Sequence, residues 1–313
     1  MIEVVAGAGR DSTRETKQAK IYVTESDYML YFILRFIRSR TAALLIFLIV
    51  LCTTVAADSS AASLDRGFQL LYNLDFGRAQ EQFASYQQQH ADDPMGPVAE
   101  AAGLLFSELN RVGLLGTRFF DRDSSFRSRP LPKADPALHD RFNSALQRAE
   151  ALARPHLASD PNDRGALLAM TLVNGLRADY TSLFENRSRV ALHYTRDATN
   201  YARPLLAICG DCYDAYIATG ISRYLIGPMS APLRWILRMG GFSGDKKQGM
   251  VELRLVSERG HYLAPYARIL PAIAEIREKN FTGARQLLSQ LRDEFPGNPL
   301  FTQELARLDT GAH

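Results

Sequence analysis

The stretch GFQLLYNLDFGRAQEQF, residues 67–83, decides the fold. Within it, Ala79 follows Gly67 by twelve residues, and Phe83 comes one helical turn after Ala79. Apolar residues recur at three- and four-residue spacing on both sides of Asp75, which predicts two helices joined by a tight turn. Small side chains let two such helices approach closely, and an aromatic ring fills the space between neighbouring helical pairs. The stretch therefore predicts a helical hairpin.

A second copy of this pattern lies near the C-terminus. Ala272 and Ala284 are again twelve residues apart, and Leu288 follows one turn later. In both copies a phenylalanine, Phe76 or Phe281, precedes the second small residue by three positions. With these spacings the chain resembles the tetratricopeptide-repeat (TPR) superfamily. The resemblance implies an all-α fold, a TPR-like α-solenoid built from antiparallel helical hairpins that stack on one another.

Helical periodicity continues between the two copies, so we expect one helical repeat domain over residues 64–308, followed by a tail at 309–313. Clusters of proline, glycine and aspartate separate the helices, and short connections favour antiparallel neighbours. A long irregular loop is expected at 113–136. About eleven or twelve helices are predicted, at 64–74, 76–90, 95–111, 136–157, 162–183, 187–208, 212–226, 230–239, 245–259, 262–279, 281–294 and 298–308.

Residues 214–262 resemble a narrower group within that superfamily. This group comprises bacterial relatives of the eukaryotic inclusion-body-clearance and mitochondrial outer-membrane TPR proteins. It contributes no catalytic residues that carry over to this chain. The positions that carry the resemblance are Asp214, Tyr216, Gly220, Tyr224, Gly244, Asp245 and Gly249.

The stretch TAALLIFLIVLCTTVAA, residues 41–57, carries no charge and follows a polar and basic segment, 1–40. A basic flank, an apolar stretch and small residues before Ala57 are typical of a cleaved secretory signal, with Met29 as an alternative start. An uncleaved membrane anchor is the alternative, although a span needs about 20 residues. Both interpretations predict export, to the periplasm or the medium, with membrane contact only through residues 41–57 and a linker at 58–63.

Composition and charge exclude several classes of protein. Hydrophobic residues make up 46% of the chain and charged residues 23%, as in a folded globular protein, which excludes disorder of the whole chain. The net charge is +3. The first 57 residues carry seven Lys or Arg and five Asp or Glu, which leaves 30 and 29 for the rest, a net charge of +1. We therefore expect no nucleic-acid partner that depends on a large basic excess.

Cys209 and Cys212 form the one close cysteine pair of the sequence. Outside the cytoplasm such a pair can form a structural disulfide, which is the expectation here. Inert thiols and a redox or metal role are the alternatives. A redox centre would need a thioredoxin-like βαβ context, and a zinc site would need two further ligands at regular spacing. We therefore expect no bound metal and no cofactor.

No catalytic motif is evident, because the zinc-protease, Walker and nucleophile-elbow patterns are all missing. We therefore expect a protein that is not an enzyme. A cluster of aromatic and arginine side chains is the candidate partner site. Its aromatic members are expected to lie mostly in the core, with any exposed ones on the concave face, where helical solenoids bind peptides or helices. Its arginines are expected on a solvated face, where they could bind carboxylates. The members of this cluster are Tyr216, Arg223, Tyr224, Trp235 and Arg238.

The expected function is an exported scaffold that binds a protein or peptide partner on its concave face. The alternative is a small-ligand or lipid-binding helical protein with an apolar pocket near Trp235. A closed apolar cavity favours the ligand-binding alternative, whereas an open groove favours a protein partner.

Overall fold

A computed structural model of the protein describes residues 64–115, 133–226 and 244–310, together with the single positions Trp235 and Leu237. Within these ranges the chain is helical throughout and contains no β-strand. The predicted all-α, solenoid-like fold is confirmed, because successive helices pack against each other in neighbouring pairs.

The chain divides into two units, residues 1–56 and 57–313, and every described residue lies in the second unit. The predicted export segment at 41–57 and residues 116–132 of the predicted loop lie outside the described residues. So does most of the helix predicted at 230–239, of which two positions are described as helical. Among the residues that the structure describes, no helix is both long and apolar enough to cross a bilayer.

Eleven α-helices follow one another in the described ranges, and a short 3-10 turn at Tyr213–Ala215 precedes the seventh. Their bounds differ from the predicted ones by a few residues at most, as expected for helix ends. The helices are α1 (64–72), α2 (Phe76–Gln89), α3 (Met95–Arg111), α4 (Pro136–Ser159), α5 (Arg164–Leu183), α6 (Ser188–Ile208), α7 (Tyr216–Ile226), α8 (Lys246–Arg259), α9 (Ala264–Arg277), α10 (Phe281–Glu294) and α11 (Pro299–Thr310).

Aspartate or asparagine side chains begin several of the helices. Each accepts a hydrogen bond from a backbone N–H of the first turn, which has no partner within the helix. Asp163 accepts from the third residue of α5 at 2.8 Å, and Asp245 accepts from the third residue of α8 at 3.0 Å. These caps explain why polar clusters in the sequence mark the helix boundaries.

The α1–α2 and α9–α10 turns share one geometry. Leu74 and Lys279 occupy equivalent positions and adopt positive φ angles of 62° and 61°. The next residue, Asp75 or Asn280, caps the following helix through its side chain. Its own N–H donates to the carbonyl five residues earlier, at 2.9 Å in the first turn and 2.8 Å in the second. The two hairpins that the sequence analysis paired are therefore alike in backbone as well as in spacing.

Close packing of α1 on α2 depends on Gly67. A Cβ atom at this position would lie 2.2 Å from Cε1 of Phe83, whose side chain is fully buried. The small and large positions of both copies also lie in the core. Ala79, Ala272, Ala284 and Leu288 are fully buried, and Phe76 and Phe281 are partly buried against the core.

The first helix also contacts the C-terminal helices. The hydroxyl of Tyr72 donates to the carbonyl of Tyr262 at 2.9 Å, and the amide nitrogen of Asn298 donates to the carbonyl of Tyr72 at 2.9 Å. The rings of Phe68 and Tyr262 lie 4.9 Å apart, and those of Tyr72 and Phe295 lie 5.3 Å apart. An open solenoid keeps its terminal repeats apart, so this contact between α1 and the C-terminal helices is a feature that the sequence pattern did not predict.

Candidate functional site

Six helices, α1, α3, α5, α6, α7 and α9, surround a cavity of about 100 Å³. Its walls are mostly apolar, and α5 contributes more of the described lining residues than any other helix. We call it the Asp179 cavity, after the one charged side chain among those residues. A mostly apolar cavity with a few polar groups is the usual form of a small-molecule site.

Asp179 lies on α5 and lines the cavity. Within the described part of the chain, no hydrogen bond or ion pair satisfies its carboxylate. Burial raises the pKa of Asp179 to about 7, because the surroundings disfavour the charged form. The carboxyl group therefore exchanges its proton near neutral pH, inside an apolar chamber.

Four aromatic side chains line the same cavity. Phe68 and Tyr72 come from α1, Phe106 from α3 and Tyr266 from α9. The rings of Phe106 and Tyr266 meet edge to face at 5.9 Å, and those of Tyr72 and Phe106 meet at 6.4 Å. Burial, together with the charge of Asp179, raises the pKa of the Tyr266 hydroxyl well above its usual value, so this group stays neutral.

The other polar atoms of the cavity wall are mostly acceptors. The hydroxyl groups of Thr171 and Thr195 donate to carbonyls of their own helices at 2.8 and 2.9 Å, which leaves their oxygens free to accept. The Tyr72 hydroxyl donates to the carbonyl of Tyr262. The Tyr266 hydroxyl has no hydrogen bond to any described residue, and it can either donate or accept.

Gly175 lies within α5 and lines the cavity one turn before Asp179. A Cβ atom at this position would meet no atom within 4 Å. Glycine inside a helix destabilises it by roughly 0.5–1 kcal/mol relative to alanine. No close contact requires the glycine here, and its effect is to leave the cavity wall without a side chain.

Asp214 holds the wall formed by α9 in place. It is buried, and its carboxylate accepts hydrogen bonds from the N–H groups of Tyr262 at 2.9 Å and Leu263 at 3.2 Å. Burial raises the pKa of Asp214, and the two N–H groups partly oppose that shift. These bonds fix the chain just before α9, and so they position Leu263 and Tyr266 at the cavity.

An open groove of about 830 Å³ lies along α8, α9 and α10. Charged and amide side chains dominate its lining. An ion pair joins Arg254 to Glu275 at 3.2 Å, and another joins Arg268 to Glu294. The groove is therefore polar and carries charges of both signs.

Of the predicted partner-binding residues, Tyr216, Arg223 and Tyr224 lie on α7, and Trp235 is a single described position further along the chain. Tyr216 and Tyr224 pack partly buried against the core, and Arg223 pairs with the buried carboxylate of Glu252. Trp235 is 62% exposed and is not among the described residues that line the Asp179 cavity. Arg238 lies outside the described residues.

Cys209 and Cys212 form a disulfide, with their Cα atoms 5.5 Å apart. Together with Asp211 they make the one group of potential metal ligands found among the described residues. Sulfur atoms joined in a disulfide cannot bind a metal as thiolates. In this state the group is unsuited to holding a metal ion.

Sequence reasoning missed Asp179, although a signal was present. Leu172, Leu176 and Asp179 recur at four- and three-residue spacing, which places a carboxylate on the apolar stripe of a helix. Gly175, also within this helix, was a second signal. Neither shows by itself which other helices complete the cavity.

No protein-family model, no curated protein and no solved structure matches this chain.

Proposed function

We propose that this protein binds a small, largely apolar ligand in the Asp179 cavity. The observation that carries this proposal is a cavity between six helices, lined by a carboxylate that has no hydrogen-bond or ion-pair partner among the described residues. Gly175 supports the proposal, because it leaves the cavity wall without a side chain although glycine destabilises a helix. In this proposal the protein acts by binding, and no bond of the ligand is broken.

The volume of the cavity limits the size of the ligand. A dry cavity of roughly 150 Å³ accepts benzene. By that measure a cavity of 100 Å³ takes about four or five non-hydrogen atoms. The ligand-efficiency limit for such small molecules makes roughly micromolar the tightest dissociation constant to expect.

Titration with isobutanol tests the proposal, with the backbone amide signals of isotope-labelled protein as the readout. We expect saturable shifts in α5 that Gly175→Leu abolishes, because the new side chain occupies the cavity. Gly77→Leu is the matched control, since Gly77 lies exposed on α2 and a Cβ there also meets no atom within 4 Å. The proposal fails if no saturable shift occurs, or if Gly175→Leu responds as the wild type does.

We also propose that the hairpins are divergent TPR units. The twelve-residue spacing of small residues and the shared turn geometry at Leu74 and Lys279 support this assignment.

Export through residues 41–57 remains part of the proposal. The bond between Cys209 and Cys212 is consistent with it, because disulfides persist in oxidising compartments. A thiol count on protein from the native host, with and without reductant, tests that bond.

A second candidate function is the exported scaffold for a protein or peptide. The groove along α8–α10 favours it, because its alternating charges suit a polar peptide. A photo-crosslinker placed at Gln286, which lines the groove, tests this function in the native host. One defined crosslinked partner would support it, and the absence of any partner would speak against it.

A further inference from the structure

We propose that the Asp179 cavity takes a small aliphatic ammonium ion, with Asp179 as its counter-ion. This inference rests on the proposed ligand-binding function, and it names the chemical class of the ligand.

Two buried carboxylates of this protein, Glu108 and Asp214, have hydrogen-bond donors or a cation beside them. Glu108 is fully buried, pairs with Arg111 through two contacts of 2.6 Å, and accepts the N–H of Asp135 at 2.7 Å. Asp214 accepts two backbone N–H groups. A carboxylate taken from water without such partners is strongly disfavoured. Asp179 is half-buried and has no such partner among the described residues, and a cation in the cavity supplies one.

Most polar groups of the cavity wall can only accept a hydrogen bond from a ligand. The hydroxyl protons of Thr171, Thr195 and Tyr72 are all donated to backbone carbonyls. The polar wall therefore presents mainly acceptor oxygens, with the Tyr266 hydroxyl as its uncommitted donor. A ligand that donates hydrogen bonds satisfies this wall, and an anion does not. An ammonium group carries up to three such donors.

The cavity that Asp179 lines is also lined by the rings of Phe68, Tyr72, Phe106 and Tyr266. The face of an aromatic ring attracts a cation, and this attraction strengthens where water is excluded. A carboxylate accompanied by several aromatic rings is thus suited to an organic cation with an aliphatic tail.

The other described residues that line the cavity carry no charge at physiological pH. The titratable groups that face the cavity from neighbouring helices are Tyr72 on α1 and Tyr266 on α9. Both are neutral at physiological pH, because burial raises the pKa of each hydroxyl. The described residues of α3, α6 and α7 that line the cavity carry no charge. Among the described lining residues there is no cationic side chain that would compete with an ammonium ligand.

Isobutylammonium and isobutanol form a matched pair of probes for the test, because they share one carbon skeleton and differ in charge. Calorimetric titration of the folded domain at about pH 8 is expected to show isobutylammonium binding at least about tenfold more tightly. At about pH 6 its affinity is expected to fall about tenfold, since the ionised fraction of a group with a pKa of about 7 falls by that factor. Isobutanol affinity should stay unchanged.

Asp179→Asn removes the charge and keeps the shape of the side chain. This variant is expected to bind both probes equally and to lose the pH dependence, while Asp140→Asn, an exposed change on α4, behaves as the wild type. The thermal unfolding midpoint of each variant verifies that it folds. Equal binding of both probes by the wild type overturns this inference but leaves the proposed function standing. Binding of neither probe overturns both.

Discussion

A carboxylate surrounded by phenylalanine, leucine and tyrosine side chains destabilises the folded state whenever it is ionised. Asp179 is such a group, and the pKa of about 7 in the folded protein compares with about 3.9 in an unfolded chain. The protonated form is therefore favoured by folding. The destabilisation is absent below about pH 4, grows as the pH rises towards 7, and is constant above that value.

Asp179→Asn is expected to stabilise the empty protein at about pH 8, by up to about 4 kcal/mol. At about pH 5 the gain should fall to less than half of that value, because much of the wild-type carboxyl is then protonated in the folded state. Urea unfolding of both proteins at the two pH values measures the difference. The exposed Asp140→Asn variant should show no such trend, and an Asp179→Asn variant without it would contradict this account.

At the scale of elements, single residues at the ends of the helices and at their crossings determine where the helices begin and how closely they pack. Polar caps such as Asp163 and Asp245 lie next to the chain segments that they terminate, so helix bounds could be predicted from local sequence. The hairpin of α1 and α2 could be predicted as well, because Gly67 and Phe83 lie within one repeat. The spacing of small and large residues within one hairpin thus predicts how its two helices pack, as Gly67 facing Phe83 shows.

Gly67→Ala is expected to destabilise the protein by about 1–3 kcal/mol, because the added methyl group overlaps the buried ring of Phe83. Gly77→Ala is the matched control on α2, where a Cβ meets open space, and it should stabilise the protein by less than about 1 kcal/mol. Urea unfolding at neutral pH compares the two. Equal stability of both variants would show that the two helices do not approach as closely as described.

At the scale of the whole molecule, α1 joins the C-terminal helices through side chains that are far apart in the sequence. Helical periodicity predicts which face of α1 is apolar, but it contains no information about which distant helix covers that face. For this reason the contact of Tyr72 with Tyr262 and the Asp179 cavity could not be predicted. The cavity is formed by helices from both ends of the domain, so it cannot be predicted from the sequence of any single hairpin.

Asn298→Ala tests the contact between the two ends. The Asn298 side chain is buried, donates to the carbonyl of Tyr72 and accepts the N–H of Leu300 at 3.0 Å. Its loss should destabilise the protein by roughly 2–4 kcal/mol and speed hydrogen exchange in α1. Asn280→Ala removes an exposed cap without the long-range bond, so a loss of about 1 kcal/mol with unchanged exchange in α1 is expected. Equal exchange in α1 for both variants would argue against the contact.

The contact between the ends also sets an order of events during synthesis. The hydrogen bond of the Tyr72 hydroxyl can form only after the ribosome has added its acceptor, the carbonyl of Tyr262, which lies 190 residues further along the chain. At about 5–20 residues per second, translation takes roughly 10–40 seconds to produce that partner. Until then the face of α1 that meets Tyr262 and Phe295 is uncovered, and the α9 wall of the Asp179 cavity is missing. The cavity is therefore complete only near the end of synthesis, once the chain has reached Tyr266.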